Sequence, residues 1–440
     1  MKVCSILVFV ISVFVHSTSG HAMDVKKVVS KNGIIAWLVN DKSQPLISVS
    51  FAFRGAGFVT DPRGKDGLAK VVSRLLAEGA GKLRSLDYQR ALEESTAEIS
   101  FSAGQDHFVG RIRTIKNEQE NAFKLLRMAL ISPRFDLEAL ERVRSQMLAV
   151  IRKNMENPNY LSSLAWVEAA FYGHPYAKLG TGTVETINKL NRIDLTSFVK
   201  NRFARDRLVI GVAGDISAVT LKYLLDDVFG KLPLIGKKFD ISEIQPFTSE
   251  KLIVVQKPIP QSVIVLGHKG LKRNDPDWYA GLLATEVLGG SGFNSRLYKG
   301  IREKHGLAYS VYSYLKPMQY STVLMGRVAT TNQKVGRTLK LITGQWQAIR
   351  KRGITAVELK DAKNFINGSF PLRLRSTRSI ANILLGIQLA KLGEAYLNRR
   401  RSLINSVSLG QANRVASQLF KENELLTVVV GNSDIKVLDK

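Results

Sequence analysis

The sequence predicts an α+β protein built from two homologous lobes. Three observations carry this. Segments with the period-two alternation of half-buried strands, Ile34-Ala36-Leu38 and Ile47-Val49-Phe51-Phe53, are interleaved with helical segments. Short motifs recur at a nearly constant offset. Between the two sets lies a stretch, 231–251, with Pro233, Gly236, Lys237, Lys238 and Pro246 and no apolar periodicity, which reads as a linker.

Each element follows from its own pattern. Helices are expected over 66–76, 137–154 and 162–171, and again over 278–288, 335–351 and 356–370. In the first of these, Leu68, Val71, Val72, Leu75 and Leu76 form one apolar stripe, while Lys70, Ser73 and Arg74 project elsewhere. The repeats are specific. Phe108-Val109-Gly110-Arg111-Ile112 resembles Leu324-Met325-Gly326-Arg327-Val328, 216 positions on. Leu140 has its match in Leu359, 219 on, and the strand ending at Gly214 has its match in the one ending at Gly431, 217 on. Three matches in order, agreeing within three residues, argue for a duplicated domain. Strands and helices mixed in this way favour sheets covered by helices.

The chain has 440 residues, 45% hydrophobic and 23% charged, enough to bury substantial cores and unlike a disordered protein. Its net charge is +27. The basic residues are spread along the chain and a compact run such as Arg399-Arg400-Arg401 is short, so no nucleic-acid partner is expected. Lys2, the apolar run from Val3 to Val15, and Gly20 and Ala22 before Met23 have the layout of a secretory signal peptide. The apolar run is too short for a bilayer, which needs about 20 residues, so no stable membrane anchor is expected. Cys4, the one cysteine, lies inside that segment. The mature chain then has no disulfide and no cysteine metal site.

The helix with the apolar stripe is where a family resemblance enters. Gly67-Leu68-Ala69 and Leu75-Leu76-Ala77-Glu78-Gly79 resemble the lead and tail of the metal helix in the pitrilysin/insulinase-type zinc peptidases, the inverzincins, whose motif is H-x-x-E-H. Here the motif is replaced. Lys70 and Arg74 stand at the two histidine positions and Ser73 at the glutamate base. The third ligand position, in the helix before Glu156-Asn157-Pro158, holds Val150. Zinc needs neutral imidazole or anionic ligands, and a serine is no general base near neutral pH. Lys70 and Arg74 are either a solvated helix face or the lining of a degenerate cleft that takes acidic groups. His107, His174, His268 and His305 have no ligand-like spacing and read as structural or surface residues.

The second half departs less from the pattern. Gly289-Gly290-Ser291-Gly292 lacks a phosphate-loop ending and reads as a turn. Arg302 and Tyr309, in Arg302-Glu303-Lys304-His305-Gly306-Leu307-Ala308-Tyr309, resemble the family's Arg/Tyr pair, which holds and polarises substrate across from the zinc. The alternatives are an arginine paired with a local carboxylate and a tyrosine packed in the sheet. Gly173-His174-Pro175-Tyr176 and Ala213-Gly214-Asp215 match further family segments.

The resemblance implies a layout of signal peptide 1–22, a peptidase-like lobe 23–230 with a degenerate zinc site, a linker 231–251 and a second such lobe 252–440. Each lobe would be a largely antiparallel, LuxS/metallopeptidase-like sheet covered by helices. It implies a periplasmic, non-catalytic, substrate-binding subunit that pairs with a zinc-bearing homologue for peptide hydrolysis. The chain itself would bind no cofactor and cleave no peptide alone. The alternative is a stand-alone peptide-binding or scaffold protein.

Overall fold

The computed structural model describes residues 24–248 and 251–432. The signal-peptide segment and its cleavage point lie outside them. Two sheets are present. The first contains β1 (Lys26–Val29), β2 (Ile35–Asn40), β3 (Leu46–Arg54), β4 (Glu98–Ala103), β5 (His107–Ile115) and β6 (Leu208–Gly214), in the order β1-β2-β6-β3-β5-β4. Only β2 and β6 run parallel. The first half also supplies helices α1 (Leu68–Leu75), α2 (Ser85–Glu94), α3 (Gln119–Ile131), α4 (Leu137–Glu156), α5 (Pro158–Ala170), α6 (Val184–Lys189), α7 (Arg192–Arg202) and α8 (Ala218–Phe229).

The second sheet contains β7 (Lys251–Gln256), β8 (Gln261–Lys269), β9 (Val311–Pro317), β10 (Thr322–Thr331) and β11 (Leu426–Gly431), in the order β7-β11-β8-β10-β9, with β7 and β11 parallel. Its helices are α9 (Trp278–Gly289), α10 (Val335–Arg352), α11 (Ala356–Ser369), α12 (Thr377–Leu389), α13 (Tyr396–Asn405) and α14 (Leu409–Leu419). Strands β2-β6-β3-β5-β4 thus repeat as β7-β11-β8-β10-β9, the duplication that the recurrent motifs predict. The repeated glycine has a packing reason. A Cβ on Gly110 of β5 would lie 2.1 Å from the Phe51 ring, and one on Gly326 of β10 would lie 3.1 Å from Trp346. Each admits an aromatic side chain against the strand.

The apolar stripe of α1 faces the first core. Leu68, Val71, Val72, Leu75 and Leu76 are all buried, with Phe51, Phe53, Phe108, Val143, Met147 and Phe229 in the same cluster. Each such side chain contributes about 1.5–3 kcal/mol on burial.

One expectation fails. The alternation in 47–53 implies a strand with one wet face, yet β3 is buried on both, because α12 from the second half covers the other face. Ser48 and Ser50, which read as solvent positions, hydrogen-bond to Thr377 (2.9 Å) and Asn382 (2.9 Å). The exchange is reciprocal. Helix α5, from the first half, covers the outer face of β8 and β11, and Trp166 donates its indole N–H to the Leu426 carbonyl at 3.0 Å. The strands divide on either side of 231–251, but the helices do not. Residues 231–248 carry no helix or strand, Lys251 already opens β7, and the stretch is tied down through Ile244 N–H to Tyr320 O (2.9 Å) and Phe247 N–H to Ala170 O (2.7 Å).

Candidate functional site

Helix α1 begins after Gly67, whose φ of 95° suits glycine. Its free N–H groups are met by Asp61, which accepts from Gly67 N (3.1 Å) and Ala69 N (3.1 Å). Burial pushes the Asp61 carboxyl up to about 7, although Arg202 and these two N–H bonds pull the other way. The sequence did not reveal this cap. Asp61 lies six residues before Gly67, outside the usual N-cap position.

On α1 the three replaced positions differ in surroundings. Arg74 is exposed, Lys70 is half-buried and Ser73 is buried, its hydroxyl donating to the Lys70 carbonyl at 2.8 Å. Burial, and then the Arg74 guanidinium, lower the Lys70 ammonium below the usual lysine range. Among the described residues neither cation has a carboxylate partner. So the solvated-face reading fits Arg74 and does not fit Lys70. Helix α4 packs against α1 and presents half-buried Val150 between buried Met147 and Ile151.

This donor set does not suit zinc. An ammonium, a guanidinium, an isopropyl group and a hydroxyl already committed to a backbone carbonyl offer no imidazole or carboxylate. Among the described residues no group of three His, Cys, Asp or Glu side chains is placed to hold a metal ion. Each of the four histidines there has a local partner. In His268, burial lowers the imidazole to about 4, so its neutral Nε2 accepts from the Trp346 indole N–H (3.2 Å) while Nδ1 meets the Lys269 carbonyl (2.8 Å). His174 Nδ1 accepts from Tyr176 N (3.1 Å), His107 Nδ1 from Gly55 N (3.4 Å), and His305 Nδ1 lies 3.3 Å from Arg337.

The structure brings Arg302 and Tyr309 together. Arg302 lies on a π-helical turn, Tyr298–Glu303, a geometry frequent at functional sites. Its guanidinium carbon sits 4.9 Å from the Tyr298 ring centre and 4.7 Å from that of Tyr309. Both rings lie within cation–π range of the guanidinium. No carboxylate pairs with Arg302 among the described residues, and Tyr309 is 84% exposed rather than packed in the sheet. Tyr298 is the member of this group that the sequence left unassigned. It precedes Arg302 by four residues, the one usable signal. The packing around the π-helical turn involves α10 and β9, not α1, so the two groups belong to different lobes.

The segment at Tyr176 joins the lobes. Its hydroxyl donates to Asp106 Oδ1 (2.6 Å) and accepts from Tyr320 N (3.0 Å), while Asp106 Oδ2 accepts from Gln319 N (3.0 Å). Burial and the Asp106 carboxylate hold the phenol well above the usual tyrosine range.

A duplicated, helix-covered sheet whose first helix offers no metal-ligating side chain at Lys70, Ser73 and Arg74 has the architecture of a two-lobe peptidase-type fold. The chain is similar to M16 peptidases, and to inactive members among them. The family description "Peptidase M16 inactive domain" matches residues 189–366, which include Arg302 and Tyr309. The "Non-peptidase homolog YmxG" of Helicobacter pylori is 28% identical over 401 residues, covering 88% of this chain and 89% of that protein. The "Uncharacterized zinc protease YmxG" of Bacillus subtilis is 24% identical, covering 92% and 98%. A crystal structure described as the peptidase M16 inactive domain from Pseudomonas fluorescens superposes with a TM-score of 0.87 at 26% identity, covering 94% of this chain and all of that one.

Proposed function

We propose that this inactive M16 homologue is the substrate-binding subunit of a periplasmic zinc metallopeptidase complex, paired with a zinc-bearing homologue. The observation that carries the reading is the asymmetry between the halves. The first has Lys70, Ser73, Arg74 and Val150 where the metal chemistry would be. The second holds Arg302 and Tyr309 side by side, with the tyrosine exposed.

In this reading the partner supplies zinc and the attacking water, and this chain supplies hydrogen-bond donors. The Tyr309 hydroxyl donates to the scissile carbonyl oxygen as it gains charge, a contribution that acts on turnover. Arg302, in contact with two rings, adds a cation that orients a carbonyl or carboxylate of the peptide. The half-buried Lys70 and exposed Arg74 give the opposite lobe a surface suited to acidic groups. The leader-like first 22 residues support a complex outside the cytoplasm.

The test mixes the zinc-bearing homologue with wild-type or variant chain and follows peptide cleavage, with complex formation read separately by size-exclusion chromatography. Tyr309→Phe is expected to lower turnover about tenfold to a thousandfold with the complex intact. Arg302→Ala is expected to raise KM, with or without a loss in kcat. Full activity of the double variant in an intact complex overturns the reading and leaves a scaffold.

A further inference from the structure

We propose that the seam between the start of α12 and the first sheet is a binding site for a phosphate group, held by Arg113, Arg375 and Arg378. The helix exchange creates this seam. Arg375 and Arg378 arrive from the second half of the chain, flanking the Ser376 cap of α12. Arg113 comes from β5, where it stands opposite Ser48 of β3 and Glu98 of β4. Ser48 bonds Thr377 of α12, so this is the sheet face along which α12 lies. The three arginines, with Asp41, Ser43, Gln44 and Thr377, line a cavity of about 230 Å³.

Among the described residues its charge is not balanced. Glu98 serves two of the arginines, with Arg113 Nη1 at 3.5 Å and Arg378 in contact. Arg375 has no acidic partner among the described residues. Asp41, the other carboxylate at the cavity, accepts from Ser43 N at 3.0 Å. A fourth guanidinium, Arg111, is two residues from Arg113 on the same strand face. It is held by neutral groups, Asn382 Oδ1 at 3.0 Å and Ser102 Oγ at 3.4 Å. Four guanidiniums therefore meet two carboxylates. Burial and the nearby Arg378 lower Arg111 from the usual arginine range, as unrelieved like charge should.

A phosphate group answers this arrangement better than a carboxylate does. Several arginine forks converge on one cavity, and a tetrahedral dianion offers more charge and more oxygens than a planar monoanion. Ser376 satisfies Ser379 N, so part of the first turn of α12 stays available to face the same anion. The cavity is wide enough for one phosphate and the group that bears it. The ligand is thus free phosphate or the phosphate monoester of a lipid headgroup. Occupancy would brace both halves of the chain at once.

The mature chain is titrated calorimetrically with inorganic phosphate, against sodium chloride at the same ionic strength. In parallel it is mixed with vesicles of phosphatidylcholine, with and without phosphatidic acid. The variant is Arg375→Glu, at an exposed residue with no acidic partner among the described residues. Arg378→Ala is the second variant, and circular dichroism checks both. We expect saturable one-to-one binding of phosphate, of phosphatidate vesicles, or of both, and no response to chloride or phosphatidylcholine. Affinity should fall about tenfold or more in Arg375→Glu, which removes one charge-assisted contact and adds a like charge. Binding of vesicles without free phosphate assigns the lipid source, and the reverse assigns the free ion. No saturable binding in either arm, or equal binding by wild type and both variants, overturns the proposal.

Discussion

Asp61 and His268 show how two buried groups can hide one another. Asp61 rises from an ordinary 3.8 to about 7 on folding, so between these pH values the native state holds a proton that the unfolded chain has released. Its contribution to stability is full below about pH 4 and is lost as pH rises to about 7. His268 falls from 6.5 to about 4, so there the unfolded chain holds the extra proton. Its contribution is full above pH 6.5 and is lost as pH falls towards 4. The two slopes oppose each other between about pH 4 and 6.5. We expect Asp61→Asn, which keeps an acceptor for the N-terminus of α1, to expose the histidine's slope. Thermal unfolding of the variant should then rise with pH across that window more steeply than the wild type. Parallel curves would show that the Asp61 carboxyl is not raised. At the same scale, elemental analysis of the purified mature chain should find no stoichiometric zinc. One zinc per chain, with chelator-sensitive cleavage, would mean that Lys70, Ser73, Arg74 and Val150 do not mark the metal position.

At the scale of elements, α12 is the informative one. Its buried residues Ile380, Ala381, Leu384 and Leu385 face the first sheet, and the Gln388 amide donates to the Ile210 carbonyl at 2.8 Å. A Cβ on Gly211 would lie 2.4 Å from the Ala381 carbonyl oxygen, so the strand and the helix backbone are in direct contact. Leu384→Ala removes a fully buried side chain and should cost about 2–5 kcal/mol. The location of the effect is the sharper reading. Amide exchange should quicken in β3 and β6, far away in sequence, more than in β8 and β11. The opposite order would mean that α12 is not the cover of the first sheet.

At the scale of the whole molecule, the reciprocal exchange of α5 and α12 makes each lobe depend on the other. The Asp106–Tyr176–Tyr320 junction and the ion pair of Lys257 with Glu156 (2.6 Å) add polar ties across the halves. The mature chain should therefore unfold in one calorimetric transition, and a fragment of residues 23–230 should not reach a folded state. Two separate transitions, or a cooperatively folded fragment, would contradict this. The exchange also bears on assembly. With the backs of both sheets occupied within the chain, a partner must meet other surfaces, among them the face that carries Tyr309.

The sequence by itself determined the α+β class, the duplication and the inactive M16 character, because each rests on local pattern. The periodicity of 335–351 matches α10 to within a residue, and Gly110 and Gly326 mark the same strand in both halves. The reading of Lys70, Ser73, Arg74 and Val150 as a metal position without ligands is equally local, since it lies in their identity. Only the tertiary structure decided which helix covers which sheet. Ser48 and Ser50 carry the alternation of a wet strand face, and nothing nearby in sequence announces that Thr377 and Asn382 will satisfy them. It also decided that Lys70 is half-buried while Arg74 is exposed, and that Arg302 meets both Tyr298 and Tyr309. Periodicity reports which side of an element is apolar. It does not report what comes from hundreds of residues away to cover the other side.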